Sequence, residues 1–406
     1  MPRWDTAQPA LAGVVSAVVG YASSFAVVLA GLRAVGANPA QAASGLLVLC
    51  TGIAVLAVGL SLRYRMPISI AWSTPGAALL VATGANAGGF PAAVGAFLVC
   101  GALIVLAGLV PWLARAIDAI PRPIAGAMLA GVILSLCAAP VRAVIDVPEL
   151  AIPVVLTWAL LMRFARRWAV PGALAAAVVA IAVSGVDGGL SQASLRPAPV
   201  FTMPEFTVTA LISLALPLFL VTMAAQNVPG MAVMATYGYP VPLRAVLVTS
   251  GAATMVAAPF GGHALNLAAI TAALTAGPDT HPDPARRWTA TVALGLGQLT
   301  LGLGAGLATA LVLLSPPVLV IAVAGLALIP ALGSSLASAV TEPEGREAAV
   351  VTFVVTASGM TVLGVGSAFW GLVAGGLTAL LLHRRRLPAP VAPAGPVTAG
   401  VTGRGD

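Results

Sequence analysis

The length and spacing of its apolar runs constrain this chain most. Runs of about 20 residues with few or no charges follow one another, separated by arginine, proline, glycine and aspartate. A helix rises about 1.5 Å per residue, so such a run matches the roughly 30 Å hydrocarbon core of a bilayer. Only 8% of residues are charged and 60% are hydrophobic, against about 25% charged in soluble domains. The chain is therefore read as an all-α polytopic membrane protein. Fourteen runs are expected, at 10–32, 39–62, 67–85, 91–114, 122–140, 147–163, 170–186, 206–236, 242–258, 262–276, 287–314, 317–339, 347–366 and 367–383. The first lacks a cleavage site and is expected to be a retained span. The tail 387–406, rich in Pro, Ala and Gly, is expected to be disordered.

Charge placement supports the count. The +7 balance comes from arginine alone, because the chain has no lysine. With the N-terminus cytoplasmic, only Arg33, Arg142 and Arg196 fall outside, and the other sixteen of the nineteen arginines fall inside. Both termini are thus expected in the cytoplasm. Between the apolar runs the arginines stand singly or in pairs and form no nucleic-acid surface. Cys50, Cys100 and Cys137 lie inside apolar runs without metal-ligand spacing.

Two runs are interrupted. Pro67-Ile-Ser-Ile-Ala-Trp-Ser-Thr-Pro-Gly reads as a short extended segment, then Thr74 as N-cap, Pro75 in the first helical turn, and a half-length helix. Ala257-Ala-Pro-Phe-Gly-Gly-His-Ala-Leu-Asn breaks a helix at Pro259, Gly261 and Gly262, and a second half-helix is expected to begin near His263. Asn266, three residues on, would share its face. Each interruption is the third run of a seven-run half, and seven is odd, so the second half enters the membrane inverted. Paired interruptions at matching positions mark a transporter's binding centre. A loop between two ordinary helices is the alternative reading of the second stretch.

The twelve acids fall in loops, run ends or termini, leaving no carboxylate relay or metal site in mid-membrane. His263 is the one ionisable group in the second interruption, and its ordinary pKa of about 6.5 suits proton exchange. It is read as a substrate or proton group, with a structural histidine as the alternative. Gln226 and Asn227, deep in the eighth run, would hydrogen-bond a ligand carboxylate or an opposing broken strand, or simply join helices. Tyr21 occupies the matching zone of the first run. The tips of the half-helices would carry partial positive charge and free N–H groups at Gly76 and Gly262, with Gly261 beside them in the substrate site. Trp72 and Phe260 could wall the site. A small organic anion follows, with no cofactor and no metal. The loop Gly277–Trp288 is expected to cap the second half-helix and to place Arg286 and Arg287 at the interface.

The motifs Gln226-Asn-Val-Pro-Gly-Met-Ala-Val, Ala258-Pro-Phe-Gly-Gly-His-Ala-Leu-Asn-Leu and His281-Pro-Asp-Pro-Ala-Arg-Arg resemble the bacterial benzoate/proton symporter family of the BenE type. The resemblance implies a seven-plus-seven inverted repeat related to nucleobase and anion-exchanger-like transporters. It implies a core domain (1–120 and 204–315), a gate domain (121–190 and 316–386), and strand-plus-half-helix segments in spans 3 and 10. It also implies proton-coupled import of a benzoate-like carboxylate, with a homodimer left open. Nucleobase relatives carry acids where this chain has Gln226 and His263, a departure that suits an anionic substrate. Then either His263 carries the proton or the substrate enters as the neutral acid. A transporter of another organic anion or nucleobase-like molecule is the runner-up. A channel lacks a continuous polar lining, and an enzyme lacks a nucleophile, paired acids or metal spacing.

Overall fold

Where no water meets the backbone, an apolar run closes its hydrogen bonds internally as a helix. The computed structural model describes residues 4–84, 88–110, 121–183, 196–363 and 365–382, and these are mostly helical. In order they form α1 (Trp4–Ala34), α2 (Pro39–Tyr64), β1 (Ile70–Trp72), α3 (Thr74–Thr83), α4 (Phe90–Leu109), α5 (Arg122–Asp146), α6 (Pro148–Phe164) and α7 (Ala169–Val183). Then come α8 (Val208–Thr236), α9 (Leu243–Ala257), β2 (Leu265–Leu267), α10 (Ala269–Ala276), α11 (Trp288–Leu303) and α12 (Ala305–Leu314). The last are α13 (Pro317–Thr341), α14 (Arg346–Ala357), the short strands β3 (Thr361–Val362) and β4 (Val365–Gly366), and α15 (Ser367–Leu382). Eight helices among the described residues are long and apolar enough to cross a membrane. The expected tail 387–406 and the C-terminal ends of the fourth and seventh runs lie outside the described residues.

Local chemistry sets the helix ends. Asn38 and Gln41 cap α2 reciprocally, each side chain accepting the other's backbone N–H at 2.9 Å, with Pro39 in the first turn. Arg65 ends α2 in the left-handed region (φ 53) and stacks on Trp288, 4.5 Å from the ring centre. Two expected spans differ from their runs. The run 287–314 is a pair of helices, α11 and α12, bent by 56° at Gly304. The run 347–366 is helical only to Ala357. Gly359 (φ 65) turns the chain, and β3 and β4 close a hairpin.

α5 lies along α13 and α14, α14 on α15, and α6 on α7. α1 packs on α3 and α11, α2 on α11, and α4 on α9. The spacing of the elements repeats. From Ile70 to Leu265, from Thr74 to Ala269 and from Arg122 to Pro317 the step is 195 positions, taking in both strands, both half-helices and the α5/α13 pair.

The α5/α13 contact is close enough to need glycine. A Cβ on Gly325 would collide with the backbone oxygen of Leu136, and one on Gly126 would lie 2.8 Å from the Ser335 oxygen. Backbone oxygens cannot rotate away, so overpacking here costs at least about 1–3 kcal/mol. Gly325→Val is expected to lower the melting temperature of the detergent-purified protein, while Gly376→Val, facing open space, leaves it within a degree or two.

Candidate binding site

The site is built on backbone. β1 and β2 pair antiparallel, with Ile70 opposite Leu267, Ala71 opposite Asn266 and Trp72 opposite Leu265. Two flanking bonds extend the ladder, Ser73 N–H to Ala264 O and Ala268 N–H to Ser69 O, both 2.9 Å. Pro67 and the β-branched Ile68 and Ile70 favour extended chain on one side. On the other, Gly261 holds φ 88 and turns the chain out of α9. The remaining N–H groups of β2 find side chains. Leu265 N–H donates to Thr254 Oγ1 and Leu267 N–H to Asn227 Oδ1, each 2.9 Å. The two leucines fit against Gly52 of α2 and Gly230 of α8. α3 and α10 then leave the paired strands in opposite directions, with their N-terminal ends toward the pair.

This arrangement corrects several expectations. The second half-helix begins at Ala269, not near His263, because Thr254 and Asn227 hold the chain extended through Leu267. His263 and Asn266 therefore do not share a face. Residues three apart align on a helix but point to opposite sides of an extended chain. The N-cap of α3 is Ser73 rather than Thr74, and its Oγ accepts the Gly76 N–H at 3.1 Å. Gly262 N–H is bonded to Ala257 O at 2.9 Å and Gly261 N–H to Ala258 O at 2.9 Å. None of the amides of Gly76, Gly261 and Gly262 is left over for a ligand.

The two half-helix tips differ. In α3, Pro75 has no N–H and Ser73 takes the Gly76 N–H, which closes most of the first turn. In α10, the N-cap is Ala268, whose side chain can accept nothing. Thr271, in that first turn, has a buried hydroxyl without a partner. Among the described residues, α10 is therefore the half-helix whose N-terminal turn lacks a side-chain cap.

The side chains sort into held and free. Asn227, in a widened π-turn spanning Met223–Asn227, pins β2. Its neighbour Gln226 is half-buried and has no hydrogen-bond partner among the described residues. Asn266 is fully buried. Oriented as its neighbours require, its amide oxygen accepts from Ser73 N–H (3.0 Å) and its nitrogen donates to Leu267 O (3.1 Å). Trp72 Nε1 donates to Ser24 Oγ at 2.9 Å, and the Trp72 ring meets Tyr21 edge-on at 5.9 Å. Tyr21 stacks on Phe25 at 5.2 Å, so one aromatic cluster flanks β1. Phe260 instead pairs with Phe201, away from this cluster. His263 is fully buried against the edge of Phe97, and neither ring nitrogen has a partner. Arg286 pairs loosely with Asp283 in the loop (3.7 Å), whereas Arg287 is buried rather than interfacial.

Sequence reading missed the hydroxyls that brace the strands. Thr222 Oγ1 donates to Ser73 Oγ (3.0 Å), Ser69 meets Thr275 (2.8 Å), and Thr254 holds Leu265. Each is a lone Ser or Thr in an apolar run. So are Thr51 and Thr83, which merely bond their own helices, so nothing local separates the two kinds. The acids keep to the margins among the described residues. Asp146 ends α5, Glu149 and Glu347 sit in first turns, and Glu205, Asp279, Asp283, Glu342 and Glu344 lie between helices.

Known proteins share this chain's sequence and fold. A family model described as BenE, benzoate membrane transport protein, matches residues 5–381. The inner membrane protein YdcO of Escherichia coli K12 is 39% identical over 374 residues, 92% of this chain and 95% of that protein. The benzoate membrane transport protein of Acinetobacter baylyi is 32% identical over 375 residues, 92% of this chain and 94% of that one. The transmembrane domain of the cyanobacterial bicarbonate transporter BicA superposes with TM-score 0.57 at 14% identity, covering 92% of this chain and 98% of that domain. The murine anion transporter Slc26a9 superposes with TM-score 0.60 at 13% identity, covering 94% of this chain and 69% of that one. At such identities the last two likenesses concern the fold alone.

The contrast between Asn227 and Gln226 is testable. Asn227→Ala leaves the buried Leu267 N–H unpaired, which costs about 1–3 kcal/mol, and is expected to lower the melting temperature. Gln226→Ala removes no bond within the protein and is expected to leave it unchanged.

Proposed function

Because the chain belongs to the BenE family of benzoate membrane transport proteins, we propose that it carries benzoate, or a similar small aromatic carboxylate, inward across the bacterial inner membrane together with a proton. One observation carries the reading. Two half-helices leave an antiparallel strand pair in opposite directions, and no acid among the described residues stands within either broken segment. Helix N-termini attract anions, and a buried carboxylate, which would repel one, is missing. The carboxylate binds at the α10 tip, with Gln226 of α8, the helix that packs on α10, as its amide partner. The aromatic ring lies toward Tyr21, Trp72 and the end of α3 marked by Thr74 and Gly76. Asn227 and Asn266 position the strands, and Gly261 and Gly262 make the turn into them.

The step of 195 positions supports fourteen spans in two inverted halves of seven. A core of residues 1–120 and 204–315 would carry the strand pair and shift against a gate of 121–190 and 316–386 to alternate access. Arginine placement supports cytoplasmic termini. His263 is the proton carrier, its two unpartnered nitrogens being the only titratable ones within the described broken segments. Transport as a homodimer fits the same scheme.

Radiolabelled benzoate uptake into proteoliposomes under an inward proton gradient, measured against protein-free vesicles, tests this. Saturable, gradient-driven accumulation is expected. Gln226→Ala should raise KM about tenfold, the scale of one lost charge-assisted bond of about 1.5 kcal/mol. His263→Ala should abolish gradient-driven accumulation. Full gradient-driven uptake by that variant would refute the histidine assignment and give the proton to the substrate.

A further inference from the structure

The far end of α10 holds a buried arginine that the transport reading does not use. Arg287 is 6% exposed. Its Nε donates to His281 O (2.7 Å), one terminal nitrogen to Ala276 O (2.8 Å) and the other to Pro282 O (3.2 Å). All three acceptors are backbone carbonyls, and no carboxylate pairs with the guanidinium among the described residues. Ala276 is the last residue of α10, so the arginine grips the C-terminal end of that half-helix. Thr280 assists without charge, its Oγ1 donating to Leu274 O at 2.8 Å. The loop is tied in turn by Gln8 to Asp279 O (3.0 Å) and by Tyr239 to Pro284 O (2.9 Å). α3 has nothing comparable, since its last turn contains no basic residue and it ends on Gly84.

We propose that Arg287 is a positioning residue that sets the anion affinity of the site between the half-helices, by holding a positive charge at the C-terminal end of α10, behind its open tip. This rests on the transport reading above. The two helices are then unequal at both ends. α3 has a closed tip and no basic residue in its last turn, and α10 has an open tip and a cation behind it. A half-helix of eight residues spans about 12 Å at about 1.5 Å per residue. A unit charge at that separation, through an effective dielectric of about 20, changes anion affinity about tenfold. The guanidinium also cancels the negative pole at the C-terminal end of α10 and leaves the positive pole facing the site.

Equilibrium binding of radiolabelled benzoate to detergent-purified full-length protein, paired with maximal uptake in proteoliposomes, tests the role. Arg287→Gln is expected to weaken Kd about tenfold while maximal uptake stays within about twofold. A purely structural brace would not produce that split. Thr280→Ala, which loses an uncharged bond to the same helix end, should leave Kd within about twofold. A folded Arg287→Gln with unchanged Kd overturns the proposal, as does Thr280→Ala weakening Kd as much as Arg287→Gln. Should Arg287→Gln fail to fold, Arg287→Lys decides. It keeps the charge and loses the fork, so Kd must stay within about threefold, and a tenfold loss overturns the role. If the unaltered protein binds and accumulates no benzoate, the transport reading itself fails, and the Arg287 role with it.

Discussion

An unpaired peptide group in hydrocarbon costs several kcal/mol, and the structure answers that constraint at its two interrupted spans. Each apolar run stops being helical for a few residues, and each exposes backbone that its own helix cannot satisfy. The two stretches satisfy each other as β1 and β2, and side chains from neighbouring helices take what is left over. Asn227 and Thr254 hold β2, Ser73 caps α3, and Thr222 and Thr275 steady the serines at either end of β1. The polar residues of this apolar protein are concentrated where the backbone needs them. Extended chain is tolerated here because it is largely buried in protein.

That solution leaves one polar surface over. Positions 195 apart occupy equivalent places in the two broken segments, yet their side chains have diverged. Ser73 corresponds to Ala268, Gly76 to Thr271, Ala71 to Asn266 and Ile68 to His263. The first half carries the residues that close a helix tip. The second carries the residues that leave one open, with a buried arginine at its other end. An antiparallel strand pair thus carries differently closed helix tips on its two sides.

Much of this was legible in the chain itself. The two interruptions at Pro67–Gly76 and Ala257–Asn266, the lone histidine and the peripheral acids are all visible in the residue order. The start of α10 was not. Ala264 to Leu274 reads equally well as helix, since Leu-Asn-Leu carries no breaker, and only the distant partners Asn227 and Thr254 hold its first part extended. The same gap misplaced the cap of α3 by one residue, because Ser73 and Thr74 are both good caps and the choice falls to the geometry of the Gly76 N–H. It also misjudged Arg287, since an arginine after a proline-rich loop reads as interfacial until three carbonyls are seen to converge on it.

The sequence by itself determined the membrane fold class, the places where spans break and the absence of fixed negative charge from the broken segments. Hydropathy, proline, glycine and charge are properties of single residues or short runs, and they act wherever the chain goes. Tertiary structure decided which amides are taken and which remain, that Asn227 serves the backbone while Gln226 stays free, and that α10 rather than α3 offers an open tip. Those outcomes depend on hydrogen bonds between residues some 40 to 200 positions apart in the chain, such as Leu267 to Asn227 and Ser69 to Thr275. No local pattern encodes the distance and angle on which such bonds depend.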